Sequence, residues 1–427
     1  MKLKLAGLVA GAIMAAAPAM ADLIVPNLSY RTGPYGANGT QYADGFNDYF
    51  TLLNERDGGI GGEIIQVPEC ETAYNTEKGV ECYEATKAGA LVFNPLSTGI
   101  TYQLIPKVSI DRKVLYTPGY GRTSAKNGQV FEWVFNAPAN YWDGASIAVK
   151  YLLDENGGSL EGKKIALVYH NSAYGKEPIR TLQELSEKHG FTLIEVPVEA
   201  PGQEQKSQWL QIRRDKPDYV LMWGWGVMNQ VAIQEAANIR FPMENFIGIW
   251  WAGSELDVMP AGNGANGYKS LTFNGVGTDY PLYEELKTHV IDPGKASQGG
   301  QHVGSAVYSR GMYAAVVIAE AIRKAQELAG TSAITPEQLR EGFENLDMTD
   351  ARLTEIGLPD FGPAFTLDCA NHGGNGMARV QQWDAAEKKW NLITEFTEPD
   401  AEVLDPLIAE DSEAYAAEAG IEPRTCD

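Results

Sequence analysis

Residues 164–175 read KIALVYHNSAYG, an apolar run followed at once by small and polar residues. The run IALV at 165–168 does not alternate, and such runs are typical of strands covered on both faces, as in parallel sheets. The residues at 170–175 then lie beyond the carboxyl end of the strand, where open parallel sheets bind their ligands. This segment therefore predicts both a parallel sheet and a candidate binding loop.

The same alternation of strand and helix patterns extends along most of the chain. The run YVLM at 219–222 is a second unbroken apolar stretch, and apolar residues recur at helical spacing within 305–330. Predicted strands, which share short apolar runs, lie at 23–30, 63–70, 90–94, 114–118, 164–170, 191–198, 218–223 and 245–251. This β-α-β order predicts an α/β fold with right-handed crossovers.

The strand and helix pattern starts twice, which predicts two lobes joined by several crossovers. One series begins at residue 22, and a second begins with the helix at 141–153. Two short strands at 378–384 and 390–396 form a hairpin. The expected division is residues 22–138 plus about 275–355 for lobe 1, 139–274 plus about 356–396 for lobe 2, and 397–427 for an acidic helical tail.

Composition and motifs exclude several functional classes. The chain has 427 residues with 34 Lys and Arg against 56 Asp and Glu, a net charge of −22, so a nucleic-acid partner is not expected. There is no G-x-S-x-G elbow, no G-x-x-x-x-G-K-[ST] loop and no H-E-x-x-H pair. We therefore expect a binding protein without catalytic residues, metal or cofactor, and not an enzyme.

The first 21 residues, MKLKLAGLVAGAIMAAAPAMA, have the pattern of a signal peptide. A basic start precedes an apolar stretch that is too short to cross a bilayer, and Ala19-Met20-Ala21 has the form of a signal peptidase site. An amphipathic or buried first helix is the alternative. We expect cleavage near Ala21 and export to the periplasm, which leaves 32 basic against 56 acidic side chains and a net charge of −24.

Four cysteines follow the predicted cleavage site, and an exported compartment permits disulfides. Four cysteines allow three pairings. Cys70 and Cys82 are close in sequence, one at a predicted strand end and the other in the following helix, so this pair is favoured. Cys369 and Cys426 would then pair and attach the C-terminal tail.

Ser97-Thr98-Gly99 follows a predicted strand and opens a helix. Hydroxyls and free backbone amides at a helix start can bind an anion. The alternative is that Ser97 only caps the helix.

Aromatic residues also cluster after predicted strands, and they can line an apolar pocket or pack in the interior. Interior packing is expected for one member of each Trp pair. These residues are Tyr35, Tyr120, Trp223, Trp225, Trp250 and Trp251. Glu255, beyond a very apolar strand, is suited to bind an ammonium group, or is a solvated loop carboxylate.

Several ordered loops resemble those of type I periplasmic binding proteins. Thr32-Gly33-Pro34-Tyr35-Gly36 and the turn NERDGGIGG at 54–62 resemble the start of the leucine/isoleucine/valine-binding family of ABC importers. Tyr174-Gly175 and the stretch at 261–267 continue the likeness, which covers about residues 22–395. The resemblance implies a two-lobed type I fold that captures a solute by hinge closure. It also implies permease and ATPase subunits as partners, and we expect a monomer.

The resemblance also implies roles for individual residues. Ser97 and Thr98 would hold a ligand carboxylate, Gly119 would donate a backbone amide to it, and Tyr174 would close on the ligand from the second lobe. Glu255 would bind the α-ammonium group. Tyr35 and Trp223 would border the side-chain pocket.

The chain departs from the family pattern after Pro118, where Gly119-Tyr120-Gly121-Arg122-Thr123 follows. Gly121 cannot donate a hydroxyl, and Thr123 or Arg122 is the candidate replacement. The expected ligand is a small carboxylate-bearing solute such as a branched-chain or hydrophobic amino acid. The departure and the additional tryptophans make an aromatic carboxylate or amide the alternative. A sensor receptor or an exported α/β enzyme is the second alternative.

Overall fold

The computed structural model describes residues 23–426, so the predicted signal peptide lies outside the described residues. No helix within 23–426 combines the length and apolar character that a bilayer crossing requires.

The strands in chain order are β1 (Leu23–Ile24), β2 (Asn27–Ser29), β3 (Ile65–Gln66), β4 (Glu69–Glu71), β5 (Val92–Phe93), β6 (Val114–Tyr116), β7 (Val134–Phe135), β8 (Lys164–His170), β9 (Thr192–Val198), β10 (Tyr219–Trp223), β11 (Phe246–Gly248), β12 (Lys269–Thr272), β13 (Asp347–Met348), β14 (Phe365–Thr366), β15 (Arg379–Asp384) and β16 (Lys389–Leu392). The α-helices are α1 (Gly36–Leu52), α2 (Thr76–Thr86), α3 (Thr98–Asp111), α4 (Tyr141–Glu155), α5 (Ala173–Lys176), α6 (Ile179–His189), α7 (Lys206–Asp215), α8 (Val227–Asn238), α9 (Glu255–Val258), α10 (Pro281–Leu286), α11 (Ala306–Ala329), α12 (Pro336–Glu344), α13 (Asp350–Glu355) and α14 (Ala401–Ala419).

The strands form two mainly parallel layers, which confirms the predicted α/β fold. In the first lobe β1 and β2 pair with β3 and β4, and β5, β6 and β7 form a parallel set. Single parallel bridges from Ile24 to Ala90 and from Asn27 to Asn94 join the two groups. In the second lobe one sheet runs in the order β16-β15-β12-β11-β10-β8-β9. Its β15 and β16 are antiparallel and form the predicted hairpin.

The unbroken apolar run in β8 is explained by burial on both faces of the second sheet. Ile165 and Leu167 belong to the large core cluster that joins the two lobes. Ala166 and Val168 face the other way, into a separate cluster around Trp209. Because successive side chains of a strand point to opposite faces, a strand covered on both sides must be apolar at every position.

The segment before β15 packs against the first lobe. The backbone N–H of Asn136 donates to the carbonyl of His372 at 3.0 Å, and His372 Nδ1 lies 2.8 Å from the carbonyl oxygen of Val134. Arg379 then begins β15 in the second sheet. We therefore propose that this crossing between lobes lies between Gly376 and Arg379, in place of the boundary expected near residue 356.

Both predicted disulfides are present. Cys70–Cys82 joins β4 to α2, and Cys369–Cys426 attaches the end of the tail. The tail contacts both lobes, because Asp411 of α14 pairs with Arg122 at 2.7 Å and Asp400, the N-cap residue of α14, pairs with Lys188 of α6 at 2.7 Å.

Candidate ligand-binding site

A small cavity lies between the lobes, beyond the carboxyl ends of the central strands. No lining residue is acidic or basic, and seven of the ten are aromatic. All are buried except Tyr74, which is partly buried. The lining residues are Tyr30, Tyr74, Leu96, Ser97, Thr98 and Tyr120 from the first lobe, and Tyr141, Tyr174, Trp225 and Trp251 from the second.

The start of helix α3 contributes the polar part of the cavity. Ser97 is the N-cap residue, and its side chain accepts a hydrogen bond from the backbone N–H of Ile100 at 3.3 Å. Thr98 Oγ1 accepts from the N–H of Gly121 at 3.4 Å, which leaves its own O–H free to donate. The first amides of a helix have no intrahelical acceptor, and the helix dipole favours an anion there. Ser97 therefore caps α3, and the start of the same helix also faces the cavity.

Three tyrosine hydroxyls of the lining are bonded to the surrounding protein. Tyr120 donates to Asn94 Oδ1 at 2.6 Å, Tyr174 to the carbonyl of Gly224 at 2.9 Å and Tyr30 to the carbonyl of Leu96 at 3.2 Å. Burial raises the pKa of Tyr120 and Tyr174 well above the ordinary value for tyrosine, so these phenols stay neutral. These bonds hold the aromatic rings in place around the cavity.

The two lining tryptophans differ in their indole N–H groups. Trp251 Nε1 donates to the carbonyl of Gly119 at 2.7 Å. Trp225 Nε1 is buried and has no hydrogen-bond partner among residues 23–426. A buried donor without a partner costs free energy, so a ligand acceptor beside Trp225 would remove that cost.

Gly119 lies at the junction of the lobes and does not line the cavity. Its N–H donates to the carbonyl of Ala139 at 2.9 Å. Its carbonyl accepts from the indoles of Trp250 and Trp251 at 2.6 and 2.7 Å. Its φ is +75°, and a Cβ there would come within 2.5 Å of the Phe273 ring, so glycine is required. The amide expected to bind the ligand carboxylate therefore already has a partner.

Glu255 also lies outside the cavity. It is the first residue of α9, and its Oε2 accepts from the backbone N–H of Ala306 at 3.0 Å. Ala306 is the first residue of α11, so Glu255 caps a helix of the other lobe, where the dipole favours a carboxylate. Its outer side faces a separate open cleft that also contains Asp279 and Asp360. The expected contact between Glu255 and a ligand ammonium group has no counterpart in the cavity.

Three further expected residues lie near the cavity without lining it. The Tyr35 hydroxyl is 2.7 Å from His170 Nε2, and the Tyr35 ring packs on Tyr74. Thr123 is fully buried in the turn after Arg122. Trp223 ends β10 in the interior, and Trp225 takes the position in the cavity expected of it.

One member of each Trp pair packs in the interior and the other lines the cavity. Trp223 and Trp250 are in the core, whereas Trp225 and Trp251 face the cavity. Ser97, Thr98, Tyr120 and Tyr174 are the expected site residues that the structure brings together.

Sequence reasoning missed Tyr30, Tyr74, Leu96 and Tyr141. Tyr30 and Leu96 lie in strand-end loops that the sequence does single out, so their position was a usable signal. Tyr74 lies in the turn between β4 and α2 and has a φ of +58°. Nothing in the local sequence predicts this conformation.

Contacts between the lobes show that the cleft is closed. Tyr35 of the first lobe meets His170 of the second, and the Tyr102 hydroxyl of α3 donates to Glu177. Burial lowers the pKa of His170 to about 4, so its imidazole is neutral in this closed form.

Comparison with known proteins places this two-lobed architecture in a family. A protein-family model described as periplasmic binding protein matches residues 24–388. A curated relative, Leu/Ile/Val-binding protein homolog 3 of Brucella melitensis, is 26% identical over 207 residues, which are 47% of this chain and 54% of that protein. The chain thus matches about half the length of this curated relative.

Solved structures share the fold. A crystal structure described as an ABC transporter permease from the Pseudomonas fluorescens group has 41% identity and a TM-score of 0.88, covering 96% of this chain and 100% of that one. A Thermus thermophilus branched-chain amino acid ABC transporter with bound valine has 20% identity and a TM-score of 0.72, with 88% and 96% covered. An R. palustris solute-binding protein in complex with benzoate has 16% identity and a TM-score of 0.67, with 88% and 97% covered. Because the family model spans most of its length, the chain belongs to the periplasmic binding protein family.

Proposed function

We propose that the protein is the substrate-binding component of an ABC importer and captures a small carboxylate-bearing solute with a largely apolar body. A branched-chain or hydrophobic amino acid, or a related acid, is such a solute. The observation that carries this proposal is the closed cavity between the lobes, where the start of α3 meets seven aromatic side chains. Polar groups at one end and aromatic surface elsewhere suit a ligand with one anionic end.

The ligand carboxylate would bind at Ser97 and Thr98. Hydroxyls and helix amides donate to it there, and closure removes water, which strengthens these charge-assisted bonds. Tyr174 and Trp251 would cover the ligand from the second lobe. The interactions of the second lobe form only on closure, so the ligand favours the closed form.

Transport requires partners that recognise this closed form. We propose a membrane permease driven by ATPase subunits as those partners, with the binding protein acting as a monomer in the periplasm after cleavage near Ala21. No covalent step is needed, since the site binds and releases its solute.

An aromatic carboxylate or amide is the second candidate ligand. Its support is the composition of the cavity lining, in which Trp225, Trp251 and five tyrosines surround the apolar part. Aromatic rings gain additional stabilisation from edge and offset contacts with other rings.

Isothermal titration calorimetry and thermal denaturation with a panel of amino acids, aromatic acids, amides and polyols test this function. A carboxylate ligand at a hundred times its Kd should raise the free energy of unfolding by about 2.7 kcal/mol. The polyols are the negative control. Binding of polyols alone, or of no carboxylate in the panel, would contradict the proposal.

A further inference from the structure

The cavity offers hydrogen-bond donors and no acidic side chain. The ionisable side chains among the described residues that line the cavity are tyrosines, and burial keeps these neutral. Trp225 Nε1 is an unpaired donor, and the Thr98 hydroxyl keeps a free proton. A carboxylate accepts such bonds, whereas an ammonium group can only donate.

The lining offers an ammonium group only the neutral oxygens of hydroxyl groups and no carboxylate, and the nearby carbonyl and amide oxygens already accept hydrogen bonds. The carbonyl of Gly224 accepts from Tyr174, the carbonyl of Leu96 from Tyr30, and Asn94 Oδ1 from Tyr120. A primary ammonium has three donors to satisfy, and a buried charge without partners is costly. The lining therefore disfavours an α-amino group on the ligand.

A buried cation lies beside the Trp251 ring, outside the cavity lining. Arg310 is 1% exposed, and its guanidinium carbon lies 5.6 Å from the centre of that ring. Its Nε donates to Asn274 Oδ1 at 2.9 Å and its Nη1 to the carbonyl of Trp250, while Nη2 has no partner among the described residues.

Arg310 has no direct counterion. None of the ion pairs within 4.0 Å in residues 23–426 includes it. The two nearest carboxylates are engaged elsewhere, since Glu255 caps α11 and Asp257 accepts from the Ser254 hydroxyl at 2.8 Å. Burial lowers the pKa of Arg310 to about 10, which still leaves it charged at neutral pH, and raises the pKa of Asp257 to about 7. A buried guanidinium that makes no ion pair within 4.0 Å among the described residues thus lies beside a ring that lines the cavity.

We infer that Arg310, acting through Trp251, makes the site selective for carboxylates that lack an amine, so that the ligand is a monocarboxylate with an apolar or aromatic body and no ammonium group. This inference rests on the proposed function and assigns its substrate class. Arg310 is a specificity-determining and positioning residue that does not touch the ligand. Its field stabilises an anion in the cavity and opposes a zwitterion's positive end.

Matched ligand pairs that differ only in the amine test the inference on the unaltered protein. The pairs are 3-phenylpropanoate with L-phenylalanine, and 4-methylpentanoate with L-leucine, measured by isothermal titration calorimetry at one pH and ionic strength. We expect the amine-free member of the pair that binds to have a Kd at least tenfold lower. Equal or tighter binding of the amino acid would overturn the inference and leave the proposed function standing. Tighter binding of a betaine would overturn it too. Binding of no carboxylate would overturn both.

One substitution at Arg310 tests the role of its charge. Arg310→Gln should bring the ratio of the two Kd values within about threefold of unity, because it removes the cation and keeps a polar side chain. Arg379→Gln is the matched control, since Arg379 of β15 is also buried but pairs with Asp360. An unchanged ratio in Arg310→Gln would contradict the role of Arg310. If that variant does not fold, the ratio measured on the unaltered protein still decides the ligand class.

Discussion

The cavity and the group of charged residues behind it have opposite chemistry. The cavity lining is aromatic and uncharged, whereas the rear cluster, defined as Asn274, Arg310, Glu255 and Asp257, holds charge one side-chain layer away. Trp251 contacts both regions, since it lines the cavity and its ring lies beside Arg310. The comparison shows that a site can act on ligand charge without a charged side chain touching the ligand, because buried charges act over several ångströms.

Removal of the ring between the two regions should have the largest effect. Trp251→Ala should lower the free energy of unfolding by about 3–5 kcal/mol, since it opens a void and removes the indole bond to Gly119. Urea denaturation measures this loss, and calorimetry should show no ligand binding. Trp209→Ala, in the separate core cluster of the second lobe, is the control that should lose stability yet keep its Kd. If Trp251→Ala kept its affinity, ligand binding would not depend on the ring that lies beside both the cavity and Arg310.

The rear cluster should also make stability depend on pH. Burial raises the folded-state pKa of Asp257 from its ordinary value of 3.8 to about 7. The folded state then binds a proton that the unfolded state has lost, so the free energy of unfolding falls as pH rises from about 4 to 7. Asp257→Asn should remove about 2–4 kcal/mol from the total fall in the free energy of unfolding over this pH range.

Urea denaturation between pH 4 and 8 measures this difference. The exposed Asp350→Asn is the control and should reproduce the parent curve. Parallel curves for the parent and Asp257→Asn would show that Asp257 is ionised over the whole range.

Within the cavity, one hydroxyl should account for part of the affinity. Thr98→Val removes a donor at the start of α3 and should raise the Kd for a carboxylate by about 10–100-fold, as expected for a bond to a charged group. Thr101→Val is the matched control, because Thr101 is buried one turn further along the same helix and does not line the cavity. Equal effects of the two changes, measured by calorimetry, would remove Thr98 from the site.

Closure around the cavity should have the smallest effect, and that effect should depend on pH. His170 is neutral in the closed form, where it meets Tyr35, Ser172 and the nearby Glu199. If opening restores its ordinary pKa of 6.5, acid stabilises the open form and the affinity should fall by roughly tenfold by pH 5.5. The titration of His170→Gln should lack this component. An identical pH profile for both proteins would exclude His170 as its source.

Local patterns were sufficient to predict much of the fold. The run at 165–168 predicts a strand covered on both faces because burial on both sides requires apolar residues at every position, and β8 has that environment. Ser97 was predictable as a helix cap since the bond to Ile100 spans three residues. The Cys70–Cys82 pairing followed from proximity in sequence.

Longer-range contacts decided the rest of the site. Glu255 follows an apolar strand, which is where a carboxylate that binds a ligand ammonium group was expected. Its partner is instead Ala306, which is 51 residues away in sequence. Gly119 was expected to donate its amide to the ligand, but this amide donates to the carbonyl of Ala139. The choice between Trp223 and Trp225 depended on the loop after β10, whose conformation has no local signature.

The sequence by itself determined the parallel α/β lobes, the helix start at Ser97 and Thr98, and an aromatic pocket of some kind, because each depends on burial or hydrogen bonds among near neighbours. Only the tertiary structure decided which aromatic rings line the cavity, that Glu255 caps a helix of the other lobe, and that Arg310 lies behind Trp251. These depend on the meeting of two lobes whose facing residues are distant in sequence. The energy of a buried charge is set by everything around it.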